Sequence, residues 1–261
     1  MPLSTDAVLK LMQSVAAEVI TPRFRSLSDA QIGEKRPGDL VTVADHEAEK
    51  LLTTALLDAY PEAVVLGEEA YAEAPELIER FRAADHGFTV DPVDGTKNFV
   101  HGSKDHAVMI AEVLDGETIR GWIWQPEHET AWVAELGGGV RRNGEPVRRE
   151  PAGDQPQGAT SIWSRRGRQP VGLPALVGTW VCCGVDYPKL IEGAADYVLY
   201  GHTKPWDHLP GTLMVREAGG AAAHRDGRPY AARSGGAGLV VAADPATLER
   251  ATEGCADLWP G

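Results

Sequence analysis

The chain has little with which to build a disulfide-stapled, membrane-spanning or nucleic-acid-binding protein. It carries three cysteines in 261 residues, two of them adjacent at Cys182 and Cys183 and the third at Cys255. Neighbouring cysteines are poorly placed to bond each other, so no disulfide framework is expected and a cytoplasmic location fits. No apolar run approaches the length of a membrane span, and the stretch from Met1 to Thr21 is interrupted by Asp6, Lys10 and Glu18, unlike a signal peptide. Basic side chains number 25 against 38 acidic, a formal net charge of −13. That excess repels a nucleic-acid backbone and an anionic membrane alike, so neither is an expected partner. The eight histidines show no H-x-x-x-H or Cys/His spacing, which leaves a zinc site with little support. Internal repeats and low-complexity tracts are missing too.

What remains is an ordinary globular composition, 43% apolar and 24% charged, long enough for one large domain or two intimately packed halves. Val8, Leu9, Leu11, Met12, Val15, Val19 and Ile20 recur at helical spacing after a cap near Ser4 or Thr5. A second helix is expected from about Ala44 to Tyr60, with Asp45 in its first turn. Apolar runs at 63–66 and 88–90 pass directly into acidic residues. Alternation over 107–114, 118–125 and 130–136, with Asp115-Gly116 as a turn, predicts an antiparallel meander. The Gly, Pro and charge of 137–156 mark a composition shift, so we divide the chain near residue 140 into an N-terminal α+β half, 1–140, and a C-terminal α/β half, 141–261. The second half is expected to hold strands near Thr160, near Val181, over 195–200 and over 238–242. Helices are expected from about Trp206 to Ala218, ended by Gly219-Gly220, and from about Pro245.

The chemistry concentrates where strands end. Asp91 and Asp94 bracket Pro92 and Val93, so a tight turn would aim two carboxylates and the Val93 carbonyl at one locus, a set of hard oxygens that suits magnesium. Asp-Pro and Asp-Gly are also plain turn formers. After such a turn the amides of Gly95 and Thr96 would face an anion. A Thr96 hydroxyl bonded to Asp45 could orient an attacking water. Taken alone, Asp45 reads first as a helix N-terminal charge, the Glu68-Glu69 doublet as a solvated loop, and Asp207 as a helix cap. Cys182 and Cys183 read as small buried side chains without a nucleophile's motif.

Taken in order, the segments 39–45 (Asp-Leu-Val-Thr-Val-Ala-Asp), 67–69 (Gly-Glu-Glu), 91–99 (Asp-Pro-Val-Asp-Gly-Thr-Lys-Asn-Phe), Trp206-Asp207 and 217–220 (Glu-Ala-Gly-Gly) make the chain resemble the inositol monophosphatase family over about its whole length. The resemblance implies an α+β fold, a layered α-β-α-β-α sandwich with an antiparallel sheet in the first half and a mixed sheet in the second. It implies two or three magnesium ions, lithium sensitivity, a homodimer and a small phosphorylated metabolite as substrate. Matched by motif, Glu68, Asp91, the Val93 carbonyl, Asp94 and Asp207 correspond to metal ligands, and Glu69 to a partner acting through water or from behind them. Asp45 and Thr96 correspond to the water-activating pair, and Gly95 and Thr96 to the phosphate-binding amides, with Asp94 and Asp207 also beside substrate.

Two departures fall on the substrate side. Seven residues before Asp207, where inositol-specific members carry a glutamate, this chain has Tyr200. The Gly-Ser/Thr-Ala segment of the family is replaced by Cys183-Gly184-Val185, which puts Cys183, Gly184 and Tyr200 among the candidate substrate contacts. Phosphate ester hydrolysis is the expected reaction, with inositol phosphate, histidinol phosphate, a sugar phosphate or a nucleotide 3′-phosphate open as substrate. The other expectation is a family member with a binding or regulatory role and secondary or vestigial catalysis.

Overall fold

The Ser4 hydroxyl accepts the Ala7 amide and starts helix α1 (Thr5–Val15), whose Val8, Met12 and Val15 turn inward. The helix runs on through a wider turn at Ala16–Ile20 and stops at a Pro22-containing turn. A computed structural model describes residues 2–259. Strands β1 (Ile32–Arg36) and β2 (Asp39–Thr42) form a short antiparallel hairpin that leads into α2 (Val43–Ala59). Next come β3 (Val64–Gly67), α3 (Glu68–Glu73), α4 (Leu77–Ala83), β4 (His86–Asp94) and the short α5 (Thr96–Val100). The meander forms as β5 (Ala107–Leu114), β6 (Glu117–Gln125) and β7 (Thr130–Glu135), and continues through β8 (Gly139–Arg142) and β9 (Glu145–Val147).

These strands make one sheet in the order β3-β4-β5-β6-β7-β8-β9. It is antiparallel, as expected, except at its β3 edge, where β3 runs parallel to β4. The sheet passes residue 140 without a break and ends at Val147.

The rest of the chain gives β10 (Gly158–Thr160), β11 (Val177–Gly178), α6 (Cys183–Ile191), β12 (Tyr197–Tyr200), α7 (Pro205–Glu217), β13 (Ala221–His224), β14 (Leu239–Ala242) and α8 (Pro245–Gly254). The five strands form a mixed sheet, β11-β10-β12-β14-β13. The strand expected near Val181 is reduced to the two-residue β11, which ends at Gly178. Val181 instead takes a left-handed conformation, φ 62°, and the chain enters α6.

Three apolar clusters define the layers. α1 and α2 cover one face of the first sheet around Leu52, Phe88, Ile110 and Trp122. The other face packs through Met109, Ile123 and Trp132 onto α6, α7 and the near face of the second sheet. α8 closes the far face of that sheet over Tyr197, Leu199 and Val240. The order is therefore helix, sheet, helix, sheet, helix. α7, between the two sheets, is buried along almost its whole length, as a helix with apolar neighbours on both sides must be. No helix of the described residues is long and apolar enough to cross a membrane.

Candidate active site

Strand β4 is buried along Gly87–Asp94, and its C-terminal end delivers Asp91 and Asp94 to one place. Its pairing with β5 slips between those two residues, which lets the chain turn without losing the ladder. Gly95 then sits at φ 80°, and a Cβ there would lie 2.9 Å from the Cys182 Cβ and 3.0 Å from the Asp105 carbonyl oxygen. Only glycine meets both the dihedral and the space. α7 brings Asp207 in from the layer below. One carboxylate oxygen from each of Asp91, Asp94 and Asp207 lies within 4.8 Å of the others.

Two buried carboxylates and a third only partly exposed, this close together, cannot all be ionised without a counter-charge. Burial, then Asp207, pushes Asp94 up to about 7, against the donors from Cys182 and Gly184. Burial, then Glu68, pushes Asp207 up to about 8, and burial holds Asp91 well above the usual carboxylate range. Asp91 Oδ1 is buried and makes no hydrogen bond. A cluster of hard oxygens with an orphaned acceptor and excess negative charge has the donor set of a magnesium site.

Around this cluster stands a second group. Glu68, at the start of α3, lines the same acidic pocket of about 180 Å³ together with Val93, Gly95, Thr96 and Lys97. Lys35, from β1, reaches both Glu68 at 2.7 Å and Glu69 at 2.6 Å. Burial opposes the Lys35 charge, but the Glu68 and Glu69 carboxylates outweigh it and raise its pKa. Glu69 is buried, and desolvation lifts it to about 8 against the pull of Lys35.

Asp45 makes contacts on both sides, one at the helix start and one to Thr96. Its Oδ2 accepts from the Thr42 amide at 2.8 Å and the Thr42 hydroxyl at 2.6 Å, a capping box at the start of α2. Its Oδ1 lies 3.2 Å from the Thr96 hydroxyl, which is also 2.9 Å from the Val93 carbonyl oxygen. Burial raises Asp45 to about 6.

A larger cleft, about 730 Å³, opens beside the acidic pocket and shares Asp94, Lys97 and Asp207 with it. Cys183 and Tyr200 line this cleft, Tyr200 with almost no exposed surface. Gly184 does not line it. Its amide donates to Asp94 Oδ2, and its carbonyl accepts from Gln125 Nε2 at 2.8 Å. Cys182 reaches the same carboxylate oxygen, with its Sγ 2.9 Å from Asp94 Oδ2.

Four residues that sequence reasoning missed hold this geometry: Lys35, Glu49, Cys182 and Asp186. Glu49 accepts the amides of Glu69 and Ala70, at 2.8 Å each, and so caps α3. Asp186, buried in the cleft wall, accepts the Trp180 amide at 2.8 Å. A capping pattern was readable at Thr42 to Asp45; contacts such as Lys35 to Glu68, 33 residues apart, carry no sequence signal. Asp207 also stands within 4.8 Å of ring nitrogens of His202 and His208, a grouping that linear histidine spacing does not reveal.

The model of the inositol monophosphatase family matches residues 3–259. The inositol-1-monophosphatase of Rhizobium meliloti (strain 1021) is 30% identical over 236 residues, covering 85% of this chain and 84% of that protein. A protein of Pseudomonas aeruginosa named Nus factor SuhB is 29% identical over 220 residues, 78% of this chain and 79% of its own. Among solved structures, the IMPase of Thermotoga maritima superposes with a TM-score of 0.78 at 24% identity, covering 94% of each chain.

Proposed function

The chain belongs to the inositol monophosphatase family, and from that membership we propose that it is a magnesium-dependent phosphomonoesterase acting on a small phosphorylated metabolite. The observation that carries this reading is the convergence of Asp91, Asp94 and Asp207 beside the Thr96 to Asp45 contact. Glu68, Asp91, the Val93 carbonyl, Asp94 and Asp207 are the groups that would hold the ions. Magnesium bound there supplies the charge that offsets these carboxylates, polarises the phosphoryl oxygens and acidifies water.

The chain's own residues do the rest. Asp45, held in place through Oδ2 by Thr42, keeps Oδ1 toward Thr96, so the threonine hydroxyl is oriented from one side by a carboxylate and from the other by the Val93 carbonyl. An oxygen so fixed accepts a hydrogen bond from an attacking water and passes its proton toward Asp45. The Gly95 and Thr96 amides, at the start of α5, face the phosphate, and Lys97 beside them adds a positive charge. No side chain is required as nucleophile. Burial raises the pKa values of Cys182 and Cys183, which keeps both thiols protonated and unsuited to attack.

Phosphate release from inositol phosphate, histidinol phosphate, fructose bisphosphate, glycerol phosphate and a 3′-nucleotide, with magnesium, with chelator and with lithium, tests the proposal. Release that requires magnesium and falls with lithium is the expected result; silence from folded, magnesium-supplied protein sinks it. Similarity to a protein named Nus factor SuhB supports a second reading, a binding role beside hydrolysis, and the net charge of −13 weighs against RNA as the thing bound.

A further inference from the structure

Asp94, Lys97 and Asp207 are common to the acidic pocket and the large cleft, whereas Trp163, Arg166 and Gly178 line only the cleft, at the β11 edge of the second sheet. Trp163 is 76% exposed, a large aromatic face left in water at the rim. The Arg166 guanidinium carbon lies 4.3 Å from the centroid of that ring. The same guanidinium lies against Gly178, where a Cβ would come within 2.1 Å of Nη2. Arg166 is therefore held flat between an indole and a bare stretch of backbone, and only glycine at 178 permits it.

An exposed arginine is ordinarily a solvated charge whose side chain samples many rotamers. This one is stacked, and among the described residues no carboxylate lies within the 4.0 Å of an ion pair with it. Asp186, a buried carboxylate of the same cleft, is turned to the Trp180 amide instead. A guanidinium stacked by its face keeps its N–H edge free for in-plane, bidentate contact with an anion. In a chain of net charge −13, a fixed cation without a partner at the mouth of the candidate active site selects for negative charge on what enters. A cleft of about 730 Å³ also has room for a ligand that reaches from the carboxylates to the rim.

We infer that Arg166, stacked on Trp163, binds a second phosphate group carried on the leaving alcohol, so that the preferred substrates are bisphosphorylated. The inference rests on the phosphatase reading above and narrows it. Matched pairs test it: fructose 1,6-bisphosphate against fructose 1-phosphate, and adenosine 3′,5′-bisphosphate against adenosine 3′-phosphate, each with the full chain and magnesium. The expected result is a kcat/KM for the bisphosphates roughly tenfold or more above the monophosphates, expressed chiefly in KM, the size of one charge-assisted contact. Arg166→Gln brings that ratio to about one, and the control Arg168→Gln leaves it in place. A wild-type ratio near one, or a ratio unchanged in Arg166→Gln, overturns the inference. So does a preference confined to the adenosine pair that is lost in Trp163→Ala and kept in Arg166→Gln, which assigns the rim to base stacking. Calorimetric titration of the same pairs with calcium in place of magnesium reads the contact without turnover. Absence of phosphate release would then refute the phosphatase reading while calorimetry still decides the role of Arg166.

Discussion

The carboxylate of Glu49 is bonded to the backbone of Glu69. Glu49 Oε2 accepts the Glu69 amide and Oε1 the Ala70 amide, both at 2.8 Å, from a helix twenty residues earlier in the chain. The close approach depends on Gly67, where a Cβ would lie 2.2 Å from the Glu49 carboxyl carbon. Glu49 thus fixes where α3 begins, and with it where Glu68 points.

Glu49→Gln is expected to act through Glu68. The amide can accept one of the two N–H groups but sets its own N–H₂ against the other. We expect a loss of about 1–3 kcal/mol in stability and a several-fold rise in the magnesium concentration for half-maximal activity. Thermal unfolding in chelator and a magnesium titration of phosphate release check the two effects separately.

Asp94→Asn should abolish turnover, by roughly a thousandfold or more, while leaving the fold intact, because it removes charge from the centre of the cluster. In chelator the variant should melt no lower than wild type, since one of three mutually repelling carboxylates is gone. Ordinary turnover by this variant would refute the assignment of Asp94 as a metal ligand.

Val181 is a β-branched residue held at φ 62°, a region that costs such a side chain about 1–2 kcal/mol. Asn98 Nδ2 helps hold it there, donating to the carbonyls of Asp105 and Trp180 at 2.8 and 2.9 Å. Val181→Gly should release the strain and, after the entropic cost of glycine, raise stability by about 0.5–1 kcal/mol, read as a higher melting temperature.

His106 is fully buried against Phe24 and Phe99. Its Nδ1 meets the Ser103 carbonyl, and Asp105 and His128 are the charged groups nearby. Burial lowers its pKa from 6.5 to about 4, so between those values the unfolded chain binds a proton that the folded chain does not. Stability from this group is complete above pH 6.5 and falls as the pH drops toward 4, by about 3 kcal/mol in all. Melting temperature followed from pH 7.5 to 4.5 should show the decline, and His106→Leu should flatten it.

The candidate carboxylates were legible in the sequence for a local reason. Glu68, Asp91 and Asp94 directly follow apolar runs, and acidic residues at strand ends must converge once those strands pair. The meander was legible because its alternation is regular. Elsewhere tertiary packing overrode local preference. α6 contains Gly184, Val185 and Pro188, poor helix formers, and is helical because eight of its nine residues are buried between the sheets. The composition shift near residue 140 concealed a hairpin whose signal was present: Asn143-Gly144, at φ 48° and 85°, is the turn joining β8 to β9. β1 and β2 were invisible because they are short and little buried, and the apolar pair of β2, Leu40 and Val41, is adjacent rather than alternating, so no apolar period marks them.

α7 touches β5, β6 and β7 on one side and β13 and β14 on the other, and it carries Asp207 in its first turn to meet Asp91 and Asp94 at the end of β4. The cluster therefore belongs to neither half of the chain. A fragment ending after Val147 would keep a sheet and two of the three carboxylates, and the remainder would keep the other sheet and the third. Ion binding at this cluster would in this sense be a gauge of assembly, since the cluster is complete only when the two sheets have closed on the helix between them.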